Sequence, residues 1–595
     1  MTIGQIVYVI PLLEQEESIF QGFSYGIIKA HSIIRKILYM PQNLVEFYSE
    51  KNKIINLRMQ GGSSYSILPI NRSLLEQIDP FLESPFLCIF SDNETYQDVE
   101  NYRAKTQNYF LHVSIKESHS SVKLHELTRE HIFKYVQEAM KRLEGKFSPE
   151  ELSFIKNIMS KGRKNWAKDN IAVRTKKHLV TLPNELTLNT MNYDFSGSEQ
   201  LVSPTDKPYI EAITESFDIV EKERPKFHVP IFPFPPNINL ILTVPSMYMH
   251  MYRKNLFFKK VSDSAQIVSS IHKSFAQQKG FSFPVEVDKI EKIVSSKIGQ
   301  FIIKMRRDEI EVYTSAVAVK ACDNFTPVLR LPPSINTLHG KLKQLGDCVR
   351  SRNIFTNKIR KVARLYENIT TDLTAFVDPE YIKRIDKDFN HIKLICDAPL
   401  EWLPIRDLPL MLRFDVSRVP TTPGNLFLQM AIQGNAMILS TEKFKEILLI
   451  RSYSDKDPIR NILIKAIEVI KPKIRIRTVD VFSEEDFIKA LNDFDGAVMI
   501  FDGHGSHEKD IGIGSLVIGG KHVDIMNLRG KVKMPPIVLL SACDTHPIDA
   551  SHASVANAFL ASGAVTVLAS TLPINAIETS IFLARLIGRI EDFLP

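Results

Sequence analysis

The chain has 595 residues, 44% of them hydrophobic and 24% charged, an ordinary globular composition with room for two to four domains. A net charge of +7 over that length neither demands nor excludes an acidic partner. No apolar run approaches the roughly 20 residues that cross a bilayer, so no membrane partner is expected.

Five cysteines, Cys88, Cys322, Cys348, Cys396 and Cys543, are odd in number, widely spaced and form no CxxC pair. That pattern argues against a disulfide framework and for a reducing, cytoplasmic setting. Four of the five read as small buried hydrophobes. The N-terminal IVYVIPLL lacks a basic flank and a small-residue cleavage site, so it reads as a first strand rather than a signal peptide.

Residues 1–222 read as one α/β region of unknown fold, regulatory or partner-binding. Strand-like runs QIVYVIP, FLCIFS and HLVTLP alternate with helical patterns HELTREHIFKYVQEAMKRLEG and SPEELSFIKNIMSKG. The second helix opens on Ser148 with Glu150 and Glu151 behind it, as a helix N-terminus favours. Residues 223–237, ERPKFHVPIFPFPPN, carry five prolines and read as a linker. A middle region, 238–389, holds apolar runs NLILTV and QFIIKM, then EIEVYTSAVAVKAC, and a long helical stretch from about 335 to 390.

From 390 to 595 the runs HIKLIC, ILLIRS, IRIRTV, AVMIF, IVLLSA and AVTVLA are short, β-branched and lack clean alternation, the pattern of strands buried on both faces. Helical segments DPIRNILIKAIEVIKP, SEEDFIKALNDF and SHASVANAFLASG separate most of them, which implies a mainly parallel sheet flanked by helices. SLVIGGKHVDI is a local exception, a hairpin turning at Gly519-Gly520.

In such a sheet, function gathers at the carboxyl ends of strands. AVMIF runs into Asp502-Gly503-His504-Gly505, and PIVLLSA into Cys543-Asp544-Thr545. On neighbouring strands, imidazole and thiol would meet, and the imidazole would raise the thiolate fraction and then protonate a leaving amine. Gly503 and Gly505 would allow tight turns and a close substrate backbone. The amides of Gly505 and Cys543 would face a tetrahedral oxyanion.

FDGHG followed by LLSACDT resembles the CHAT domain, a caspase-like cysteine peptidase module of the caspase, separase and gingipain clan. Residues 397–427 and SGAVTVLASTLPI, residues 562–574, are similar to the segments that flank its catalytic half, so the resemblance covers about 390–595. It implies His504 as general base and acid, Cys543 as nucleophile, and the Gly505 and Cys543 amides as oxyanion hole. It also implies a protein or peptide substrate, no cofactor, a regulatory protein partner, and for bacterial members a role in antiviral defence. Asp502 departs from the family pattern: it would orient His504, line a substrate pocket or cap the loop. With Asp495 and Asp544 it would favour a basic residue before the cleaved bond. CHAT domains usually run on past RIEDFLP, which leaves a C-terminally incomplete domain as one alternative.

Three other readings compete. His504, His507, Cys543 and His546 have a spacing acceptable for zinc, although structural zinc sites more often use several cysteines. A catalytically silent caspase-like scaffold or sensor would keep the fold without needing the pair. In the N-terminal region, residues 156–178 hold eight Lys/Arg around Trp166, which would suit a nucleic acid; a solvated basic face explains them as well.

Overall fold

The computed structural model describes residues 4–13, 25–224, 238–245, 278–281, 295–351, 356–421, 427, 430, 439–508, 513–549 and 554–594, apart from 83, 144, 146, 176, 177, 388 and 390. From residue 225 on, the proline-rich stretch lies outside the described residues. The protein is mixed α/β, with mainly parallel sheets flanked by helices, and divides into two compact units. The first is drawn from residues up to 337 and from 373–436, the second from 338–372 and 437–595.

In the first unit, β1 (Ile6–Leu12) is a run of β-branched and aromatic residues buried along nearly its whole length, as a central strand covered on both faces must be. It pairs in parallel with β2 (Ser66–Asn71) and β3 (Phe86–Ser91), and β4 (Phe110–Ser114) and β5 (Val122–Lys123) extend the sheet, order β2-β1-β3-β4-β5. The helix Pro149–Ser160 starts on a complete capping box, Ser148 with Glu151. β6 (Asp169–Thr175) and β7 (Tyr193–Glu199) form a separate parallel pair. Between them HLVTLP is no strand: it turns into the helix Leu182–Asn189, where Pro183 occupies the first turn and its missing N–H leaves no bond unmade.

A second parallel sheet, order β13-β10-β8-β9, is built from β8 (Leu240–Thr243), β9 (Val328–Arg330), β10 (His391–Ile395) and β13 (Asp415–Val419). The short antiparallel pair β11 (Pro404–Ile405) and β12 (Leu408–Pro409) lies between the last two in sequence. QFIIKM and EIEVYTSAVAVKAC both belong to one 28-residue helix, Lys297–Asn324. Its Ala316–Val319 run is fully buried, and a helix apolar all round belongs in a core. One core cluster joins this helix to β1, β3 and β8–β10. Trp166 donates its indole N–H to the Ser49 carbonyl at 2.9 Å and has Arg129 over its ring, so part of its surface is already engaged within the protein.

In the second unit, β14 (Glu446–Ser452), β15 (Arg475–Asp480), β16 (Val498–Glu508), β19 (Ile537–Ser541) and β20 (Thr566–Leu568) form a parallel sheet in the order β15-β14-β16-β19-β20. Along β14, β16 and β19 alternate residues serve opposite cores, whereas the edge strands β15 and β20 are partly exposed. Leu448, Ile450, Phe501 and Leu540 pack with the helices Glu484–Asn492 and Val555–Ala561. Ile447, Leu449, Ile500 and Leu539 pack with Ile462–Ile470 and Ala576–Phe593. Burial on both faces is why the three central strands read as unbroken apolar runs. β17 (Ile513–Ile518) and β18 (Lys521–Val523) form the expected hairpin, with Gly519 and Gly520 at φ +58° and +78°, the left-handed pair a two-residue turn needs.

β16 does not stop at Phe501. It stays parallel to its neighbours up to Gly503, then continues antiparallel to β17 from His504 to Glu508. The hairpin supplies the ladder partners that keep the chain extended where a loop was expected.

Candidate active site

In chain order the five parallel strands of the second unit are arranged 2-1-3-4-5, which puts the reversal of strand order between β14 and β16. In open α/β sheets ligands bind outside the carboxyl ends of the strands at such a point. Three adjacent strand ends, of β14, β16 and β19, carry the polar groups there.

The last registered pair between β16 and β19 is Asp502 with Ser541. His504 and Cys543 each lie two residues beyond it, so neighbouring strands deliver imidazole and thiol to one edge. Gly505 seats this junction. A Cβ built on it would come 2.2 Å from the Cys543 carbonyl oxygen, a backbone atom that cannot swing aside. Neither Gly503 nor Gly505 has a positive φ. The glycine at 505 answers to close approach, not to a tight turn as the sequence suggested. Gly505→Ala should therefore push the two strands apart, lowering stability by about 1–3 kcal/mol. Thermal denaturation beside wild type checks this; an unchanged melting temperature would contradict the packing argument.

The His504 ring is half-exposed and its Nε2 lies 2.8 Å from Asp457 Oδ2. Burial pushes the Asp457 carboxyl up, but the His504 bond, the Ile459 N–H and the His504 charge together hold it below the usual carboxylate range. Tyr453, next after β14, sets its ring edge-on to His504, with centroids 5.3 Å apart and planes at 88°. The Tyr453 hydroxyl donates to Asp502 at 3.0 Å. Asp502 is thus buried beneath Tyr453 and supports the ring that packs on His504.

Burial raises the Asp502 carboxyl to about 6. A folded pKa above the unfolded value means the protonated form is favoured in the fold. Its stabilisation is full below about pH 4 and lost as pH rises through about 6. Asp502→Asn abolishes this loss, so its stability relative to wild type should improve between pH 5 and pH 8, by at most about 3 kcal/mol. Urea midpoints of both proteins at the two pH values check it; a gap that does not change with pH would refute it.

The Cys543 thiol is half-buried and 3.8 Å from the Ile574 carbonyl. Cys88, Cys322 and Cys396 are fully buried, and burial pushes their thiols up, Cys322 to about 12. Cys348, expected inside with them, is only partly buried. Asp544, in the left-handed region at φ +51°, pairs with Arg350 at 3.0 Å. Asp495 precedes β16, at the opposite end of the strand from His504, where it pairs with Lys443 and Lys533. His546 lies 2.9 Å from the Ser554 hydroxyl. The side chain of His507 lies outside the described ones, and no three His, Cys, Asp or Glu side chains among the described residues gather as a metal site.

Three residues at the site escaped the sequence reading: Tyr453, Asp457 and Arg350. The first two follow from the same strand-end rule applied to ILLIRS, but SYSDKD carries no motif. Nothing in the sequence points to Arg350, 194 residues before Asp544.

The first unit offers a comparison. Its five-stranded sheet has the same 2-1-3-4-5 order, and Ser91, at the end of β3, bonds His112 Nε2 at 2.8 Å while Glu100 bonds Nδ1 at 2.8 Å. Ser91 and His112 are only 1% and 2% exposed, so no substrate reaches them. Burial takes His112 down to about 4 and keeps it neutral; the relay ties strand to helix.

No curated protein and no solved structure matches the chain. Residues 460–590 match the model of the CHAT domain family. The match takes in His504 and Cys543 but begins after Asp457, and the stretch 397–427 lies outside it. This chain therefore carries a C-terminal CHAT domain, a member of the caspase-like peptidase clan.

Proposed function

We propose that the protein is a cysteine endopeptidase in which Cys543 attacks a peptide carbonyl and His504 moves the protons. The observation that carries this is the placement of His504 and Cys543 at equal distance past the last rung joining β16 and β19. Asp457 completes the arrangement. Its bond to Nε2 keeps the proton on that nitrogen, leaves the Nδ1 lone pair for the thiol, and stabilises the imidazolium that forms. The Gly505 and Cys543 amides are the oxyanion donors of this reading. Asp502 acts from beneath, through Tyr453, and Asp544 is engaged by Arg350 rather than presented to a substrate side chain.

In this reading the substrate is a partner protein, the residues before the CHAT domain are regulatory or partner-binding, and the setting is a bacterial cytoplasm, with defence as the pathway. The test is mass-spectrometric identification of new termini in candidate partner proteins incubated with wild type or Cys543→Ala. Termini that appear equally with both proteins would sink the reading.

A further inference from the structure

The turn that presents Cys543 is held from a distant part of the chain. The helix His339–Arg350 ends on Arg350, whose guanidinium grips two carboxylates of that turn. Nε and Nη2 donate to Asp544 at 3.1 and 3.0 Å, and Nη1 and Nη2 donate to Asp549 at 2.7 Å each. The three side chains are between 8% and 22% exposed, so water competes weakly for these bonds. Two bidentate pairs on one guanidinium fix orientation as well as charge, which a lysine cannot do. Gly346, one turn back on the helix, leaves room: a Cβ there would come 2.9 Å from the Asp549 carboxylate.

Asp544 adjoins Cys543 and has the left-handed backbone that residues with a side chain rarely adopt. Other ties to the turn come from nearby in sequence, such as Ser570 Oγ to the Ala542 carbonyl at 2.7 Å and Ser570 N–H to Thr545 at 3.0 Å. Arg350 adds a tie from the segment 338–372, which the chain enters from the first unit and leaves back into it. Without the guanidinium, Asp544, next to Cys543, would lose both of its bonds to Arg350.

We propose that Arg350 is the positioning residue of the nucleophile turn, and that control of the site acts through the helix that carries it. The guanidinium holds Asp544 left-handed, so that the Cys543 thiol and amide keep their place. Because both carboxylates share one guanidinium, a small shift of the helix releases all four bonds together. This rests on Cys543 as the nucleophile.

The test needs no known substrate: iodoacetamide labelling of the full chain, read at the Cys543 peptide by mass spectrometry across pH. Cys348, partly buried like Cys543, is the reference thiol in the same sample and buried Cys322 a control for the fold. The other titratable groups around the turn are His504, Asp457, Asp502, Tyr453, Asp544, His546 and Asp549. Arg350→Gln should slow Cys543 labelling about tenfold and move its midpoint up by about one pH unit, since one unit is a tenfold change in thiolate. Arg350→Lys should recover part of the rate, and Cys322 should stay unlabelled. Unchanged labelling of Cys543 in Arg350→Gln would overturn the proposal; faster labelling would too, since the guanidinium would then be a cover. Should Arg350→Gln expose Cys322, Asp549→Asn takes its place, with a smaller slowing expected and none overturning the idea. His504→Ala separates the two readings: if it leaves Cys543 labelling unchanged the dyad fails, whatever Arg350 does.

Discussion

Cys543→Ala and His504→Ala should each abolish cleavage of a verified substrate while the fold persists. The thiol has no substitute at the site. Serine would need the same base yet ionises far less readily, and the other partly buried thiol, Cys348, lies in a helix rather than at a strand end. Alanine at 543 removes one half-buried Sγ and leaves Gly505 seated against the same carbonyl, so melting temperatures should stay within a few degrees of wild type. His504→Ala removes a half-exposed ring and one hydrogen bond, a small structural loss. The expected loss of rate is on the order of 10⁴-fold or more for the nucleophile and at least about 10²-fold for the proton carrier. Because the two act as a unit, the double variant should be no slower than the worse single one. Rates multiplying in the double variant would mean that the two side chains act separately.

The second large effect is expected at Asp457, which only the tertiary structure brings to His504. Asp457→Ala takes away the group that holds the Nε2 proton, and the imidazole then spends time in the wrong tautomer and orientation. The expected cost is about 10²-fold in kcat, with KM nearly unchanged, because the carboxylate touches the histidine and not the substrate. Steady-state kinetics from pH 5 to 9 on Asp457→Ala and Asp457→Asn would show it. A change confined to KM would place Asp457 in substrate binding instead.

The C-terminal sheet was legible because its central strands are buried on both faces, and that burial demands uninterrupted apolar runs whose ends stand out. HIKLIC was read as one of the same series. Its strand instead pairs in parallel with Leu240–Thr243, about 150 residues earlier, in the other unit. Parallel pairing leaves no turn signal between partners, so an apolar run states that it is a strand without stating whose neighbour it is. HLVTLP failed for a related reason: a short apolar run has the same look in a buried helix as in a strand.

By itself, the sequence determined the alternation of strands and helices in the last 150 residues, the hairpin at Gly519-Gly520, and the places of GHG and SAC at two strand ends. Each rests on local chemistry: burial period, backbone conformations open to glycine, and residues adjoining in the chain. The tertiary structure decided that β16 runs on through His504 beside β17, that Asp457 and Tyr453 flank the imidazole, and that Arg350 grips Asp544 and Asp549. The last two are contacts between single side chains 47 to 199 residues apart, and no periodicity or spacing along a chain encodes them. Asp502 belongs to both accounts. Its place beside the histidine was plain from the start, but its burial under Tyr453 exists only once β14 lies next to β16.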